Sequence, residues 1–300
     1  MKTESAAHRF GRVALVGRPN VGKSTLLNAI LGTKLSIVTP KPQTTRHRII
    51  GIETRADAQI AFIDTPGLHQ GGKYALNRQL NRVARQVPEE ADLLVHVIDG
   101  ARWRDEDEDV WQLIAKQSVP RLLVVNKVDK LADKKALLPF AAEITRERPY
   151  AAVHFLVARR GDGVPALLDD IIGFLPEGPA QFGEDEFTDR SERFLAAELV
   201  REQLMLQLGA ELPYAAAVEI ERFEDAPDIT RIGAVVWVER EGQKGIVIGA
   251  GGAQLKKIGS SARRSMERVF DRRVFLELWV RVRESWSDDA AALKQFGYSE

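Results

Sequence analysis

The sequence predicts two unlike domains: a doubly wound α/β domain on a mostly parallel sheet with one antiparallel edge strand, then a smaller α+β domain. Three observations carry this. From Arg12 to about Leu175, short β-branched or Leu-rich runs alternate with longer helical patterns, the rhythm of strands joined by crossover helices. One pair of these runs is separated only by Thr54 to Ala58, too short for a crossover, so those strands pair antiparallel at a sheet edge. Between Pro176 and Asp189 the text turns acidic and carries Gly and Pro, as a linker does. The domains are therefore expected at 1–177 and 191–300, with a linker at 178–190.

Taken in order, the strands of the first domain are Val13 to Val16, Arg48 to Glu53, Gln59 to Asp64, Asp92 to Asp99, Leu122 to Asn126 and Val153 to Val157. In the second, a helix pattern fills Ser191 to Leu208, and strands follow at Ala216 to Arg222 and Ile229 to Glu239. A Gly-rich loop, a helix at Ala253 to Val269 and a strand at Val274 to Val282 complete it. This order differs from that of the first domain, so the second is not a repeat of it.

Composition bounds the function classes. The 300 residues suit two domains that each bury a core. Hydrophobic residues at 44% and charged residues at 29% are those of a globular protein, not a disordered or membrane-spanning one. No run approaches the ~18 apolar residues of a spanning helix. The amino-terminal text MKTESAAHRFGRVALVG lacks an apolar core before a cleavage site, so no secretory signal is expected. The absence of Cys excludes disulfides and Cys-ligated zinc and suits a reducing cytoplasm. Lys plus Arg and Asp plus Glu number 43 each, which excludes a uniformly basic RNA-coating protein and leaves room for a local basic site.

Gly17-Arg18-Pro19-Asn20-Val21-Gly22-Lys23-Ser24 fits the phosphate-binding pattern G-x-x-x-x-G-K-[ST], and it stands after a strand and before the helix Ser24 to Leu31. Its backbone N–H groups and the helix start can cradle phosphates. Lys23 would reach the β- and γ-phosphates, and the Ser24 hydroxyl would hold Mg²⁺. Asn126-Lys127-Val128-Asp129 closes a strand at the carboxyl edge of the sheet, where ligands bind in such folds. The Asp129 carboxylate can accept both N1–H and the N2 amine of guanine, a donor pair adenine does not present. Asn126 can bond near the base or brace the phosphate loop, and the Lys127 stem can cover the base face. Asp64-Thr65-Pro66-Gly67 supplies a carboxylate that can hold Mg²⁺ through water and an N–H, at Gly67, that can meet the γ-phosphate.

These blocks, with Thr25-Leu26-Leu27-Asn28, Lys41-Pro42-Gln43-Thr44-Thr45-Arg46-His47-Arg48, Leu68-His69, Arg190-Ser191-Glu192-Arg193-Phe194, Glu211-Leu212-Pro213-Tyr214 and Val238-Glu239-Arg240-Glu241-Gly242-Gln243-Lys244, resemble the Era family of bacterial GTPases. That family lies in the Era/TrmE class, and the resemblance covers nearly the whole chain. It implies a P-loop GTPase domain followed by a type II KH domain that binds the 3′-end region of 16S rRNA and assists maturation of the 30S ribosomal subunit. It implies GTP as substrate and Mg²⁺ as cofactor, held by Ser24, Asp64 and a switch I threonine, Thr44 or Thr45. Lys23, Thr44, Thr45 and Gly67 are the expected catalytic residues. Asn20 matches an Asn that helps hold an activating K⁺. Leu68 stands where many GTPases carry a water-orienting Gln, so intrinsic hydrolysis is expected to be slow. Where the family usually has Ser-Ala, this chain has Val157-Ala158; Ala158 keeps the N–H that could bind guanine O6, and the hydroxyl is lost. A cytoplasmic location, with peripheral association at the cytoplasmic face of the inner membrane, completes what the resemblance implies.

In the second domain, Gly249-Ala250-Gly251-Gly252 satisfies the GxxG loop that clamps about four nucleotides of single-stranded RNA. It follows the run Gly245 to Ile248 and opens onto a helix. Lys244, Ile248, the four loop residues, Lys256, Lys257 and Arg263 are the expected RNA contacts. From Lys244 to Arg283 there are ten basic residues against Glu267, Asp271 and Glu277, a candidate phosphate-binding face. Ala250-Gly251 lacks the basic residue that the family often carries in this loop. The five His have no metal-ligand spacing. The acidic run Asp105 to Asp109 is expected to start a helix, and Trp237, Trp279 and Trp286 to lie in the core. Two other readings are a GTPase that modifies or regulates tRNA, and a module whose basic helix docks on anionic lipid.

Overall fold

Six strands order the first unit: β1 (Arg9–Val16), β2 (Ile49–Thr54), β3 (Ala58–Asp64), β4 (Leu93–Asp99), β5 (Arg121–Asn126) and β6 (Ala152–Phe155). The computed structural model describes residues 8–67, 75–100, 102–209 and 212–298. The sheet order is β2-β3-β1-β4-β5-β6. Only β2 runs antiparallel, with Ile50 opposite Ile63 and Ile52 opposite Ala61, as the short connection requires. The helices are α1 (Lys23–Leu31), α2 (Ala75–Gln86, of which Leu80 onward belongs to this unit), α3 (Asp105–Ile114), α4 (Leu137–Glu147) and α5 (Val164–Phe174). Because helices cover both faces, strand residues are apolar on both sides: Val13, Leu15, Ile63, Leu94 and Val124 are fully buried. The phosphate loop, Asp64, Asp99 and Asn126 follow the carboxyl ends of β1, β3, β4 and β5, one edge of one sheet.

The chain divides into two compact units, and the boundary is not a single cut. The second unit takes Arg190–Glu300 together with Ile37–Thr44 and Gly71–Gln79. Residues 178–189 of the linker-like segment belong with the first unit. Gly178 N–H donates to His8 O at 2.9 Å, and Ile52 N–H donates to Phe187 O at 2.9 Å. Gln59, fully buried, accepts from the N–H groups of Gln181 and Phe182 through Oε1. The exposed edge of β2 supplies hydrogen-bonding groups that Gly and Pro content does not foretell.

The second unit contains α6 (Glu192–Gln207), β7 (Ala216–Ala226), β8 (Ile229–Val238), α7 (Glu241–Ile248), α8 (Ala253–Phe270), β9 (Val274–Val282) and α9 (Ala290–Gln295). Its sheet order is β7-β8-β9, β7 antiparallel and β9 parallel to β8. Leu199, Val200 and Leu204 of α6 share a core with Ile258, Ala262 and Met266 of α8 and Val236 of β8. The order α-β-β-α-α-β is that of a type II KH domain.

Two expectations are corrected here. The run before the GxxG loop is helix α7, not loop; Gly242 and Gly245 lower its intrinsic helicity. Burial of Val247 and acceptance by Gln243 Oε1 from the N–H groups of Glu239 and Arg240 hold it. Trp279 is not core: it is 44% exposed on β9, and Phe275 of the same strand is 43% exposed. Trp286 is fully buried and donates to Ala215 O at 3.0 Å; Trp237 is half-buried and donates to Glu219 at 2.8 Å.

Buried charge on α6 also departs from an ordinary amphipathic pattern. Glu198, Arg201 and Glu202 are all buried. Within the second unit they meet the 37–44 segment: Arg201 donates to Glu198 at 2.7 Å through Nε and to Thr44 O at 2.6 Å through Nη2. Glu202 accepts from Val38 N–H at 3.2 Å. Lys41 donates to the carbonyls of Leu208 and Gly209 at the end of α6, where a cation suits the helix dipole.

Candidate functional site

The phosphate loop is shaped by its own sequence and by one neighbour. Gly22 has φ +107°, and a Cβ there would stand 2.3 Å from Asn126 Nδ2; only glycine permits both the backbone and that approach. Asn126 braces the loop: Nδ2 donates to Val21 O at 2.8 Å, while Oδ1 accepts from Lys127 N–H and from Ala158 N–H at 3.0 Å. Of the two roles open to Asn126, the geometry selects bracing. The Ala158 N–H expected to face guanine O6 donates here to Asn126 Oδ1.

Lys23 lies over the loop and donates to Gly17 O at 2.7 Å and Arg18 O at 3.1 Å. Burial lowers its pKa to about 8, with the charge of Asp64 opposing; an arriving polyphosphate would favour the cationic form further. Ser24 Oγ donates to Asp64 Oδ2 at 2.7 Å and lies 2.9 Å from Thr45 Oγ1. Asp64 is fully buried, its other oxygen has no hydrogen-bond partner, and burial raises its pKa against the Ser24 bond and the Lys23 charge. Three hard oxygen donors, one of them an orphaned carboxylate oxygen, fit Mg²⁺.

Thr45, not Thr44, faces Ser24. The Thr44 hydroxyl turns away to Lys41 O at 2.7 Å and Thr39 Oγ1 at 2.6 Å, so its expected place at the metal is corrected. Gly67 is buried against the loop, its ideal Cβ position 2.8 Å from Pro19 N, and Thr65 Oγ1 donates to Leu15 O at 3.1 Å. Leu68, His69 and Glu211 lie outside the described residues. Asn20 is exposed, with φ +63°. Asp129 is exposed in a short 3₁₀ turn, and Val128 N–H donates to Leu156 O.

Two carboxylates at the site belong to none of the motifs. Asp107, third in α3 and fully buried, forms an ion pair with Arg18 Nε at 3.1 Å. Asp99 ends β4 and accepts from Lys127 Nζ at 2.7 Å. The Arg18 side chain is thus committed to carboxylates, not aimed at phosphate. The signal that could have found Asp107 is the arginine itself, since a guanidinium buried in a loop needs a counter-charge.

The GxxG loop joins α7 to α8. Gly249, at φ +71°, sits against Gln254, 2.7 Å from its Cβ to an ideal Cβ, and Gln254 Nε2 donates to Gln207 O of α6 at 3.4 Å. Beside the loop is a groove of about 350 Å³ lined by Gly252, Lys256, Ser260 and Arg263 and by Leu276 and Leu278 of β9. Lys257 is exposed but does not line it. Ile248 is half-buried and packs on the core. The expected basic face is weaker than its count. Lys244, Arg263, Arg272, Arg281 and Arg283 pair with Glu241, Glu267, Glu192, Glu221 and Asp289, leaving Lys256, Lys257, Arg264, Arg268 and Arg273 outside ion pairs among the described residues. Among those residues, too, no cluster of His, Cys, Asp and Glu could hold a metal by itself.

The family profile described as 50S ribosome-binding GTPase matches residues 12–127, and the KH domain profile matches 211–287. The GTPase Era of Xanthomonas oryzae pv. oryzae (strain MAFF 311018) is 58% identical over 298 residues, 99% of this chain and 100% of that one. The GTPase Era of Stenotrophomonas maltophilia (strain K279a) is 57% identical over 296 residues, 99% of each. Among solved structures, a point variant of Aquifex aeolicus Era bound to GDP·AlF4⁻ matches with a TM-score of 0.94 at 40% identity, covering 97% of this chain and 100% of its own. Era in complex with MgGDPNP and nucleotides 1506–1542 of 16S ribosomal RNA matches with a TM-score of 0.93 at 40% identity, covering 98% and 100%. With the phosphate loop, the guanine loop and the KH domain in place along its full length, the chain belongs to the Era family of GTPases.

Proposed function

We propose that this GTPase is a switch that binds the 3′-end region of 16S rRNA through its KH domain and assists assembly of the 30S subunit. The observation that carries the switch is the meeting of Ser24, Asp64 and Thr45. A γ-phosphate with Mg²⁺ would draw Thr45 and Gly67 inward, and hydrolysis would release them. Ser24 and Thr45 would hold the ion directly and Asp64 through water. Lys23 would exchange two loop carbonyls for phosphate oxygens. Bound Mg²⁺ supplies charge stabilisation for phosphoryl transfer.

The groove beside Gly252 has the chemistry to take unpaired nucleotides along it: backbone at the end of the loop, Lys256 and Arg263 on α8, Leu276 and Leu278 on β9. A relative of this chain was solved with nucleotides 1506–1542 of 16S rRNA, which supports the same RNA here. Asn20 is proposed to help hold a K⁺ that offsets the missing Gln at 68; equal turnover in KCl and NaCl would remove that role.

Binding of the 1506–1542 RNA, compared with flotation on vesicles containing anionic lipid, tests the reading. Among the described residues no helix is long and apolar enough to cross a membrane, so the lipid arm tests peripheral attachment through exposed Lys256, Lys257 and Arg264. RNA binding with no flotation supports the proposal. Flotation without RNA binding favours the lipid-docking reading.

A further inference from the structure

Three loops at the carboxyl edge of the sheet meet at one carboxylate. Asp99, the last residue of β4, accepts from Lys127 Nζ at 2.7 Å, and its other oxygen lies 3.7 Å from Arg18 Nη2. Lys127 Nζ also donates to Asn20 O. Arg18 is held from behind by Asp107, which is fully buried and also accepts from Arg104 N–H at 3.2 Å. The row Asp107, Arg18, Asp99, Lys127 alternates in sign and ties α3, the phosphate loop, the end of β4 and the guanine loop together.

Lys127 makes this consequential. It has φ +60°, a left-handed backbone that a non-glycine residue keeps only when its surroundings fix it. Its stem is the group expected over the base, and its ammonium is secured by two acceptors, one from the phosphate loop and one from β4. Asp99 is about one-third exposed, so it can be altered without opening a core.

We infer that Asp99 is a positioning residue for guanine nucleotides, linking the loop that reads the base to the loop that holds the phosphates through Lys127 and Arg18. This rests on the guanine-nucleotide reading of the site. Asp99 acts through the two cations and does not itself touch the ligand. Its removal should therefore weaken GDP and GDPNP alike and leave the chemical step untouched, a KM effect and not a kcat effect.

The experiment measures fluorescent GDP and GDPNP affinity and GTP turnover for wild type, Asp99→Ala, Asp99→Asn, Lys127→Met and the Asp99→Ala/Lys127→Met double variant, with folding followed by thermal melts. Asp99→Ala should raise both Kd values about tenfold, the order a charge-assisted hydrogen bond supplies, with turnover at saturating GTP within about twofold. Asp99→Asn, which keeps an acceptor, should fall between. In the Lys127→Met background the same substitution should cost less than about threefold, because its partner is already gone. A Kd within about twofold of wild type for Asp99→Ala, or a tenfold effect that persists beside Lys127→Met, overturns the inference. A wild-type chain that binds neither nucleotide would overturn the guanine reading itself, a separate outcome.

Discussion

Asp129 and Asn126 divide labour that the motif NKVD merges. Asn126 is turned inward to brace the phosphate loop, and on the reading proposed above base selection would fall to the exposed Asp129 carboxylate. Asp129→Asn should weaken GDP binding about a hundredfold, the scale of two bonds to a charged group, and should improve xanthosine diphosphate relative to GDP; titration of both nucleotides checks it. His96 makes a pH prediction. Burial, with Lys23 and Arg148 adding, pushes its pKa down to about 3, and Nδ1 meets Tyr150 Oη at 2.7 Å. The unfolded imidazole takes up a proton near pH 6.5 while the folded one stays neutral, so stability is full above that pH and falls on acidification. The loss is about 1.4 kcal/mol per pH unit down to about pH 3, or about 2 kcal/mol at pH 5. Urea unfolding of the full chain at pH 7 and 5, following the first unit's transition, should show it, and His96→Gln should flatten the difference. Residues whose placement follows from motifs at fixed spacing, such as Lys23, Ser24 and Asp64, are legible in sequence. Those whose role depends on which way they face are not: adjacent threonines read alike until Thr45 meets Ser24, and Asp107 is one of five consecutive acids until it meets Arg18.

Among the elements, the strands of both units were legible because apolar runs bounded by turn residues specify them. Helix α7 was not, because its two glycines argue against a helix that tertiary burial of Val247 supplies. The interior of α6 was hidden for a related reason: charged residues read as a solvated face, yet Glu198 and Arg201 are buried together. Removing one member strands the other. Arg201→Ala should destabilise the second unit by about 3–5 kcal/mol, while Glu198→Met/Arg201→Met should recover most of it; thermal melts of the full chain, following the second unit's transition, decide. At the GxxG loop, Gly252 has φ +81° with open space around it. Gly252→Asp would place a negative charge and a strained backbone where RNA phosphate is expected, and should lower affinity for the 1506–1542 RNA at least about tenfold with GTP turnover within about twofold. Unchanged RNA affinity would contradict the clamping role proposed for this loop.

For the whole molecule, the net charge of zero sums over opposed parts, and five of the ten basic residues between Lys244 and Arg283 are themselves held in ion pairs. RNA binding should accordingly lean on the loop backbone and groove more than on a broad electrostatic field, with a shallow salt dependence set by a few unpaired cations such as Lys256 and Lys257. The division of the chain also bears on the switch, since the 37–44 segment belongs with the second unit while Thr45 contacts Ser24 in the first. A ligand that moves Thr45 therefore acts one peptide bond away from residues held by α6, which gives nucleotide and RNA a physical route to influence each other. The most direct measurement is the affinity of the full chain for the 1506–1542 RNA with MgGDPNP and with MgGDP at fixed salt. The account predicts tighter binding with MgGDPNP by about fivefold or more, and equal affinity in the two states would contradict it.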